Sequence, residues 1–340
     1  MAVTPPLGVA VVGCGLIGRR RAVEAARSSR SRCLVVADVD REAAQALATE
    51  VAAEAVSDWR VVIVRPDVDA VLVATPNGFL AEVAVAALEA GKHVLVEKPM
   101  GRSLAEAVRM REAARRAGRV LKVGFNHRYH PAVAEAKRRL DAGEIGHLIN
   151  ARCRYGHGGR PGYEREWRGS RELAGGGELT DQGVHVVDLL HWFLGVPDLA
   201  FAWLQTAVWP LGDLEDNGFG MFRYQSGAVA QFHTSWTQWK NLFSLELFGT
   251  TGTVIVEGLG RSYGAETLTL HMRKPDGGEP ETVTTRFEGE DVSWRLEWND
   301  FLGAALDGHS MMGTAEDGVV AMRMLDALYQ SALGGAPVAV

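Results

Sequence analysis

Hydrophobic positions divide the chain into two parts with different patterns. Up to residue 124, short and almost continuously apolar runs alternate with longer Ala- and Arg-rich stretches of helical periodicity. The runs predict strands at 8–12, 33–37, 70–74, 93–96 and 120–123. The stretches predict helices, including those at 41–51, 80–90 and 104–117. Because continuously apolar strands are covered on both faces, we expect a doubly wound parallel sheet with crossover helices, which is an α/β domain.

The second part has a mixed pattern. Helical periodicity occurs at 132–140, 179–194, 294–306 and 315–333. Alternating runs separated by Gly-rich turns predict strands at 220–224, 228–236, 243–248, 253–256 and 267–272. The pattern is typical of an α+β domain with an open-faced, mainly antiparallel sheet. We therefore predict two domains, 1–124 and 125–340, and expect the helix at 315–333 to pack back on the first domain.

Composition narrows the classes of partner. Of the 340 residues 47% are hydrophobic, and the formal net charge is -6 with no long run of Lys and Arg, which argues against nucleic acid. No apolar stretch has the length of about 20 residues that a membrane span requires. Cys14, Cys33 and Cys153 show no close pairing, and the chain start lacks a basic and apolar leader, so we expect a cytoplasmic protein. A small-molecule substrate is the expected partner.

A glycine motif follows the first predicted strand and opens a helical pattern. Glycine at the first position permits a tight turn, at the second it lets the backbone approach a pyrophosphate, and at the third it allows close packing of helix on strand. An acidic residue, Asp38, ends the second predicted strand. This context predicts a dinucleotide site whose phosphate-binding residues are Gly13, Gly15, Leu16, Ile17 and Gly18.

Asp38 indicates which dinucleotide binds. A carboxylate accepts hydrogen bonds from the ribose hydroxyls but repels a 2′-phosphate, which favours NAD. NADP stays open as an alternative because Arg41 is close enough in sequence to reach a 2′-phosphate. The basic run Arg19-Arg20-Arg21 opposes the dipole of the helix that it begins, and we interpret it as solvated surface.

Further motifs resemble the Gfo/Idh/MocA family of sugar and cyclitol oxidoreductases over nearly the whole chain. They are the glycine motif, Ala74-Thr75-Pro76-Asn77, Glu97-Lys98-Pro99, and Gly175-Gly176-Gly177-Glu178-Leu179-Thr180-Asp181-Gln182-Gly183-Val184-His185 followed by Asp188. The resemblance implies a Rossmann domain followed by an open-faced domain, a nicotinamide cofactor, and assembly into a homodimer or homotetramer, which we expect through the C-terminal sheet.

The resemblance also implies roles for individual residues. Lys98 matches the family's active-site lysine, and Asp181 and His185 match its acidic and histidine partners. The loop along the cofactor, near its nicotinamide end, corresponds to Thr75, Pro76 and Asn77, and Glu97 corresponds to a residue that borders the nucleotide. One departure is visible: the family often has a histidine shortly after this loop, where this chain reads Gly78-Phe79-Leu80.

The chemistry of alcohol oxidation suits these residue types. A hydroxyl proton must leave while hydride passes to the nicotinamide, and an imidazole is well matched to that proton transfer. We expect His185 to be the acid/base, Asp181 to orient it from one turn earlier, and Lys98 to polarise the reacting oxygen. Whether lysine or histidine moves the proton stays open. A metal site at 181, 185, 188 and 191 has suitable helical spacing, but hydride transfer needs no metal, so we expect none.

Two segments are candidates for substrate contact. Asn126, His127 and Arg128 follow the last strand of the parallel sheet, the side where ligands meet such sheets. The Gly-rich loop at 155–163, together with Trp167 and Arg168 just beyond it, carries polar and aromatic groups that suit sugar recognition. The candidates in this segment are His157, Arg160 and Trp167. The main hypothesis is an oxidoreductase acting on a sugar, cyclitol or nucleotide-linked sugar. The alternatives are a glycosidase or lyase that oxidises its sugar transiently, and a non-catalytic nucleotide sensor.

Overall fold

The computed structural model describes residues 5–340, which form two compact units. The first unit comprises the described residues up to Phe125 together with Trp294–Val319. The second unit comprises Asn126–Ser293 and Val320–Val340. Among residues 5–340, no helix combines the length and the apolar character that crossing a bilayer requires.

A six-stranded parallel sheet forms the centre of the first unit. Its strands are β1 (Leu7–Val12), β2 (Ser31–Ala37), β3 (Glu54–Val56), β4 (Ala70–Val73), β5 (His93–Val96) and β6 (Leu121–Val123). Their order is β3-β2-β1-β4-β5-β6, the order of doubly wound dinucleotide-binding domains. The predicted fold class is confirmed. The sequence pattern missed β3, because this edge strand has only three residues and none of them is fully buried.

The crossover helices of the first unit are α1 (Leu16–Arg27), α2 (Arg41–Val51), α3 (Arg60–Ile63), α4 (Asn77–Glu89) and α5 (Leu104–Ala117). The three helices predicted at 41–51, 80–90 and 104–117 begin and end within three residues of those bounds, and the structure adds two helices for which no bounds were predicted, α1 and the short α3. Asp40 caps α2 by accepting hydrogen bonds from the amides of Glu42 and Ala43, and Ser103 caps α5 in the same way. These caps explain why both helices start where their apolar periodicity starts.

A nine-stranded sheet forms the second unit. Its strands are β7 (Leu148–Gly156), β8 (Leu199–Gln205), β9 (Asn217–Arg223), β10 (Val229–Ser235), β11 (Leu242–Gly249), β12 (Gly252–Glu257), β13 (Glu266–Met272), β14 (Glu281–Phe287) and β15 (Val338–Ala339). The order is β14-β13-β12-β11-β7-β10-β9-β8-β15, and only β7 and β10 pair in parallel. The predicted mainly antiparallel sheet is confirmed.

Helices α6 (Pro131–Asp141), α8 (Glu178–Asp181) and α9 (Gly183–Leu194) pack on one face of this sheet, and the short helix α7 (Arg171–Ala174) precedes α8. The sequence predicted one helix at 179–194, whereas the structure divides it at Gln182. At the division, the amide of His185 donates to the carbonyl oxygen of Gln182 over 3.1 Å, which is a tighter turn than an α-helix makes. The carboxylate of Glu215 accepts the amides of Gly177 and Leu179 and so anchors the start of α8.

The last two helices change the predicted domain division. In α10 (Ser293–Asp307), Trp298, Phe301 and Leu302 join the hydrophobic core of the first unit, and the Trp298 indole donates a hydrogen bond to Ser31 over 3.1 Å. This burial explains why 294–319 cluster with the first unit, although the sequence assigned all of 125–340 to the second domain. The final helix, α11 (Ala315–Gly334), starts in the first unit and continues in the second.

Candidate active site

The glycine loop between β1 and α1 is shaped by two close backbone approaches. Gly13 has a φ of 96°, and a Cβ at this position would lie 2.5 Å from the carbonyl oxygen of Ala74. A Cβ at Gly18 would lie 1.7 Å from the carbonyl oxygen of Gly13. Neither position accepts a side chain, because the loop turns tightly and α1 packs directly on it. The loop therefore has the shape that the motif predicts.

The same loop leaves room for a dinucleotide. A Cβ added at Gly15 would meet no atom of residues 5–340 within 4 Å, and Gly15 is also the N-cap of α1. The first turn of α1 contains no acidic residue, so its amides present positive potential to an anion. Within the described chain, the buried hydroxyl of Thr75 has no hydrogen-bond partner. These features fit a pyrophosphate over the loop and a polar cofactor group near Thr75.

Asp38 lies immediately after β2 and contacts the glycine loop. One carboxylate oxygen accepts a hydrogen bond from the amide of Cys14 over 2.6 Å, and the other accepts from the amide of Asp40 over 2.9 Å. The carboxylate is thereby fixed where the sequence placed it, at the carboxyl end of the strand next to the loop. Arg41, the alternative partner for a 2′-phosphate, is exposed at the first position of α2.

The Glu97-Lys98-Pro99 motif follows β5. Glu97 is buried, Lys98 is half-buried, and the Lys98 amide donates to the Glu97 carboxylate over 3.2 Å. Glu97 also binds Arg21, which corrects one interpretation: Arg21 is not solvated surface but is only 2% exposed. Arg19 does lie at the surface, where it pairs with Glu50. The periodicity of α1 explains the difference, since Arg21 is on its inner face with Gly18, Ala22 and Ala25.

In the second unit, His127 and His185 form a buried pair. Their ring centroids are 3.7 Å apart, with an angle of 31° between the planes. His127 comes from the 3-10 helix Asn126–Tyr129, and His185 comes from the first turn of α9. Two predicted site residues that are distant in sequence are thus brought into contact, and His127 gains a direct route to influence the proposed acid/base.

Two tyrosines extend this cluster. The Tyr155 hydroxyl lies 3.5 Å from Nε2 of His127, and the ring of Tyr263 lies 5.0 Å from that of Tyr155. Burial raises the pKa of Tyr155 well above its usual range, and burial likewise raises the pKa of Tyr263 to about 12. Both phenols therefore stay neutral at physiological pH and act as hydrogen-bonding groups rather than as bases.

Asp181, at the end of α8, is paired with a residue of the Gly-rich loop. Nε of Arg168 lies 3.0 Å from the Asp181 carboxylate, and the guanidinium also stacks 4.4 Å from the ring of Trp167. The Arg168 pKa is raised chiefly by the Asp181 charge. Because Gln182 separates α8 from α9, Asp181 and His185 lie on two helices rather than on one face of a single helix.

The other substrate candidates have varied surroundings. Arg128 is buried and forms a bidentate ion pair with Asp188, with distances of 2.9 and 2.6 Å. The Asn126 amide donates to Ser293 over 3.2 Å. In the Gly-rich loop, Nδ1 of half-buried His157 accepts from the amide of Gly159, while exposed Arg160 pairs with Glu166. The guanidinium of Arg128 thus binds α9 through Asp188, which lies one turn beyond His185.

Sequence reasoning missed several residues around this cluster. Tyr263 lies in the turn before β13, and its position in the chain carries no motif that points to His127. Glu215, which anchors α8, lies among other acidic residues at 213–216, and no motif in the sequence distinguishes it from a solvent-exposed acid. Arg168 was detectable, because it follows Trp167 in a loop already selected for its aromatic and polar content.

Comparisons with known proteins agree with this architecture. The model described as "Oxidoreductase family, NAD-binding Rossmann fold" matches residues 7–125, and the GFO/IDH/MocA C-terminal domain matches residues 133–255. Fold and nucleotide loop together define an NAD(P)-dependent oxidoreductase. The chain belongs to the Gfo/Idh/MocA family, so the predicted family and the predicted cofactor are confirmed.

Named relatives cover almost the full chain. The 1,5-anhydro-D-fructose reductase of Ensifer adhaerens is 32% identical, and the alignment covers 96% of each protein. The levoglucosan dehydrogenase of Pseudarthrobacter phenanthrenivorans is 29% identical, again over 96% of each. A solved levoglucosan dehydrogenase in complex with NADH and levoglucosan superposes with a TM-score of 0.90 at 28% identity, covering 98% of this chain and 99% of that one.

Proposed function

We propose that this oxidoreductase interconverts a secondary alcohol and a ketone on a sugar or cyclitol ring. The observation that carries the proposal is the buried cluster of His127, His185 and Tyr155, which offers several convergent hydrogen-bonding groups. A polyhydroxylated ring needs such convergent polar groups. Relatives named as acting on levoglucosan and 1,5-anhydro-D-fructose support a neutral sugar-like substrate.

The proposed roles follow from the side-chain chemistry. The glycine loop, Asp38 and Thr75 would hold a nicotinamide dinucleotide, which would supply hydride transfer to or from the carbon that bears the reacting oxygen. His185 takes up or releases the hydroxyl proton, and the His127 ring holds the imidazole in place by stacking on it. Asp181 orients the substrate hydroxyl, and Arg168 holds this carboxylate in an ion pair. Lys98 polarises the reacting oxygen with its ammonium group.

Substitution of Lys98 and His185 tests this proposal. We expect Lys98→Met and His185→Gln each to lower kcat by roughly 100-fold or more, as loss of a general acid/base or of a charge-stabilising group does. Activity is followed as reduced nicotinamide formed from a panel of sugars and inositols, with NAD and NADP in parallel. Exposed residues of the same types, Lys274→Met and His147→Gln, are the matched controls and should retain full activity.

Three results would contradict the proposal. Unchanged kcat in both site variants would remove these residues from the reaction. Cleavage of a glycoside without net formation of NADH would indicate transient oxidation instead. Tight cofactor binding with no turnover of any sugar or inositol would favour a nucleotide sensor.

We further propose that copies of the chain associate through the open face of the nine-stranded sheet, and that the protein works in the cytoplasm. The association is supported by large apolar side chains on β8 and β9: Trp203, Phe219 and Met221 are 62%, 39% and 43% exposed. The location is supported by the cysteines, which are all buried free thiols. Burial raises the pKa of Cys14 to about 12, so its thiol stays protonated.

A further inference from the structure

A buried ion cluster in the first unit joins α1 to the Glu97-Lys98-Pro99 motif after β5. The guanidinium of Arg21 donates through Nε to Glu97 Oε1 over 2.8 Å, and its Nη2 lies 2.6 Å from the same oxygen. Its Nη1 donates to Glu297 of α10. One arginine thus connects the helix that begins at the glycine loop, the Glu97-Lys98-Pro99 motif, and a helix from the far end of the chain.

This cluster is almost completely buried. Arg21 is 2% exposed and Glu297 is 0% exposed, and the ring of Trp294 lies 4.5 Å from the guanidinium. A Cβ at Gly124 would lie 2.7 Å from Nη2 of Arg21, so only glycine leaves space for the guanidinium there. Burying charges costs desolvation energy that pairing returns only when the geometry is good. Stability alone is therefore a weak reason for such a cluster.

The second oxygen of Glu97 connects the cluster to Lys98. Glu97 Oε2 accepts the backbone amide of Lys98 over 3.2 Å, while the Glu97 amide donates to Val73 of β4 over 2.9 Å. The Glu97 carboxylate thus binds the backbone of the next residue through one oxygen and Arg21 through the other. Without Arg21, the Glu97 carboxylate would lose the guanidinium that binds its Oε1.

We propose that Arg21 is a positioning residue for Lys98: together with Glu297 it fixes the Glu97 carboxylate, which in turn fixes the backbone from which the Lys98 side chain projects. The inference rests on the proposed catalytic role of Lys98. It assigns to Glu97 a task within the protein, in addition to the nucleotide contact that the family resemblance implies. A displacement of about 1 Å in a reacting group costs on the order of 100-fold in rate, so the turn needs such support.

A double-mutant cycle between Arg21 and Lys98 tests this inference. We expect Arg21→Met to lower kcat roughly 10- to 100-fold at saturating substrate, with the Kd for NADH, measured by nucleotide fluorescence, changed less than about threefold. In the Lys98→Met background, Arg21→Met should cause no further loss of kcat, because its effect passes through the lysine. Losses that multiply in the double variant would overturn the inference.

Two results separate this inference from the proposed function. Full activity of Lys98→Met refutes the catalytic role of the lysine itself. A strong loss in Lys98→Met with a multiplicative effect of Arg21→Met refutes only the positioning role. If Arg21→Met does not fold, the cycle is run with Glu297→Gln, which keeps the shape and an acceptor, and with Arg21→Lys, which keeps the charge. Each should lower kcat in the otherwise wild-type protein and cause no further loss in the Lys98→Met background.

Control variants distinguish positioning from general damage. Arg19→Gln changes an exposed arginine on the same helix, whose guanidinium binds Glu50, and should leave kcat unchanged. Lys92→Met removes a half-buried cation elsewhere in the first unit, whose ammonium donates to the carbonyl oxygens of Arg65 and Val68 over 2.8 Å each. It should lower the melting temperature while kcat stays within about threefold of wild type. An equal fall of kcat in Lys92→Met would mean that loss of any inward-facing cation of this unit has this effect, and would contradict the specific role of Arg21.

Discussion

A single carboxylate, Asp38, sets the expected cofactor preference. It lies at the carboxyl end of β2 and accepts the Cys14 amide over 2.6 Å, which holds it beside the glycine loop. We expect Asp38→Ala to weaken the binding of NAD and to improve the relative use of NADP, because the variant lacks the charge that repels a 2′-phosphate. The change in the ratio of kcat/KM values should be roughly 10- to 100-fold, the size of a lost charged hydrogen bond of about 1.5–3 kcal/mol.

The matched control for this prediction is Asp40→Asn. Asp40 is exposed, lies two residues from Asp38, and caps α2, a role that asparagine also performs. It should leave the ratio of NAD to NADP use unchanged. If Asp38→Ala keeps the wild-type ratio, the preference must come from another group, and exposed Arg41 would be the first to test.

Arg21 shows what a sequence motif does not reveal about a single residue. Three consecutive arginines look alike in the sequence, yet Arg19 is exposed and Arg21 is buried between two glutamates. One of these partners, Glu297, comes from α10, so no local pattern could have paired it with Arg21. Residues that are identified by a local motif, such as Gly13 and Asp38, lie where the sequence placed them.

Among elements, the short helix α8 depends on one buried acid. Glu215 accepts the amides of Gly177 and Leu179 over 3.0 and 3.1 Å and the hydroxyl of Tyr329 over 2.6 Å. Burial raises the pKa of Glu215, an effect that these hydrogen bonds oppose. We expect Glu215→Ala to destabilise the protein by roughly 2–4 kcal/mol, because two buried amides lose their acceptor. The kcat should fall as well, since α8 carries Asp181.

The pH dependence of the protein's stability tests the raised pKa of the Glu215 carboxyl group. Because its folded pKa is raised, the folded protein binds the proton more tightly than the unfolded chain does, and this stabilisation is lost as the pH rises above the ordinary value of 4.5. Glu215→Gln mimics the protonated acid and does not titrate. Melting curves should therefore show wild type losing stability relative to Glu215→Gln as the pH rises from about 4.5. Parallel curves would contradict a raised pKa at this site.

Elements with strong local signals were predictable, and those that depend on distant partners were not. The helices α2 and α5 have caps and apolar periodicity, and both begin and end at the predicted residues. The start of α8 is anchored by Glu215, a residue distant in sequence, and the return of α10 to the first unit depends on the core around Ser31. The contact between His127 and His185 depends in the same way on tertiary folding, because the two rings come from separate helices.

At the scale of the whole molecule, the proposed site residues are divided between the two units. Lys98 and the dinucleotide loop belong to the first unit, and Asp181 and His185 belong to the second. The chain passes between the units at 125–126, 293–294 and 319–320, the last within α11. The predicted ranges 1–124 and 125–340 do not show the later crossings, because α10 belongs to the first unit through its tertiary core, which no local pattern reveals.

The open face of the nine-stranded sheet carries the last prediction. Trp203 and Phe219 are direct neighbours across β8 and β9, and Phe219 stacks on His233 of β10 at 4.2 Å. Phe201 and Met221 form the adjacent pair, so the exposed apolar groups are contiguous. Monomeric proteins rarely leave such a patch in water, and a second copy of the same sheet would cover it.

We expect Trp203→Glu combined with Phe219→Glu to convert the assembly into single chains, because burying two unpaired carboxylates in an apolar contact is unfavourable. Light scattering coupled to gel filtration gives the mass of both proteins. Val64→Glu, which changes an exposed apolar residue just after α3 in the first unit, is the control and should leave the mass unchanged. Wild-type protein that already runs with the mass of one chain, or a double variant that keeps the wild-type mass, would contradict association through this face.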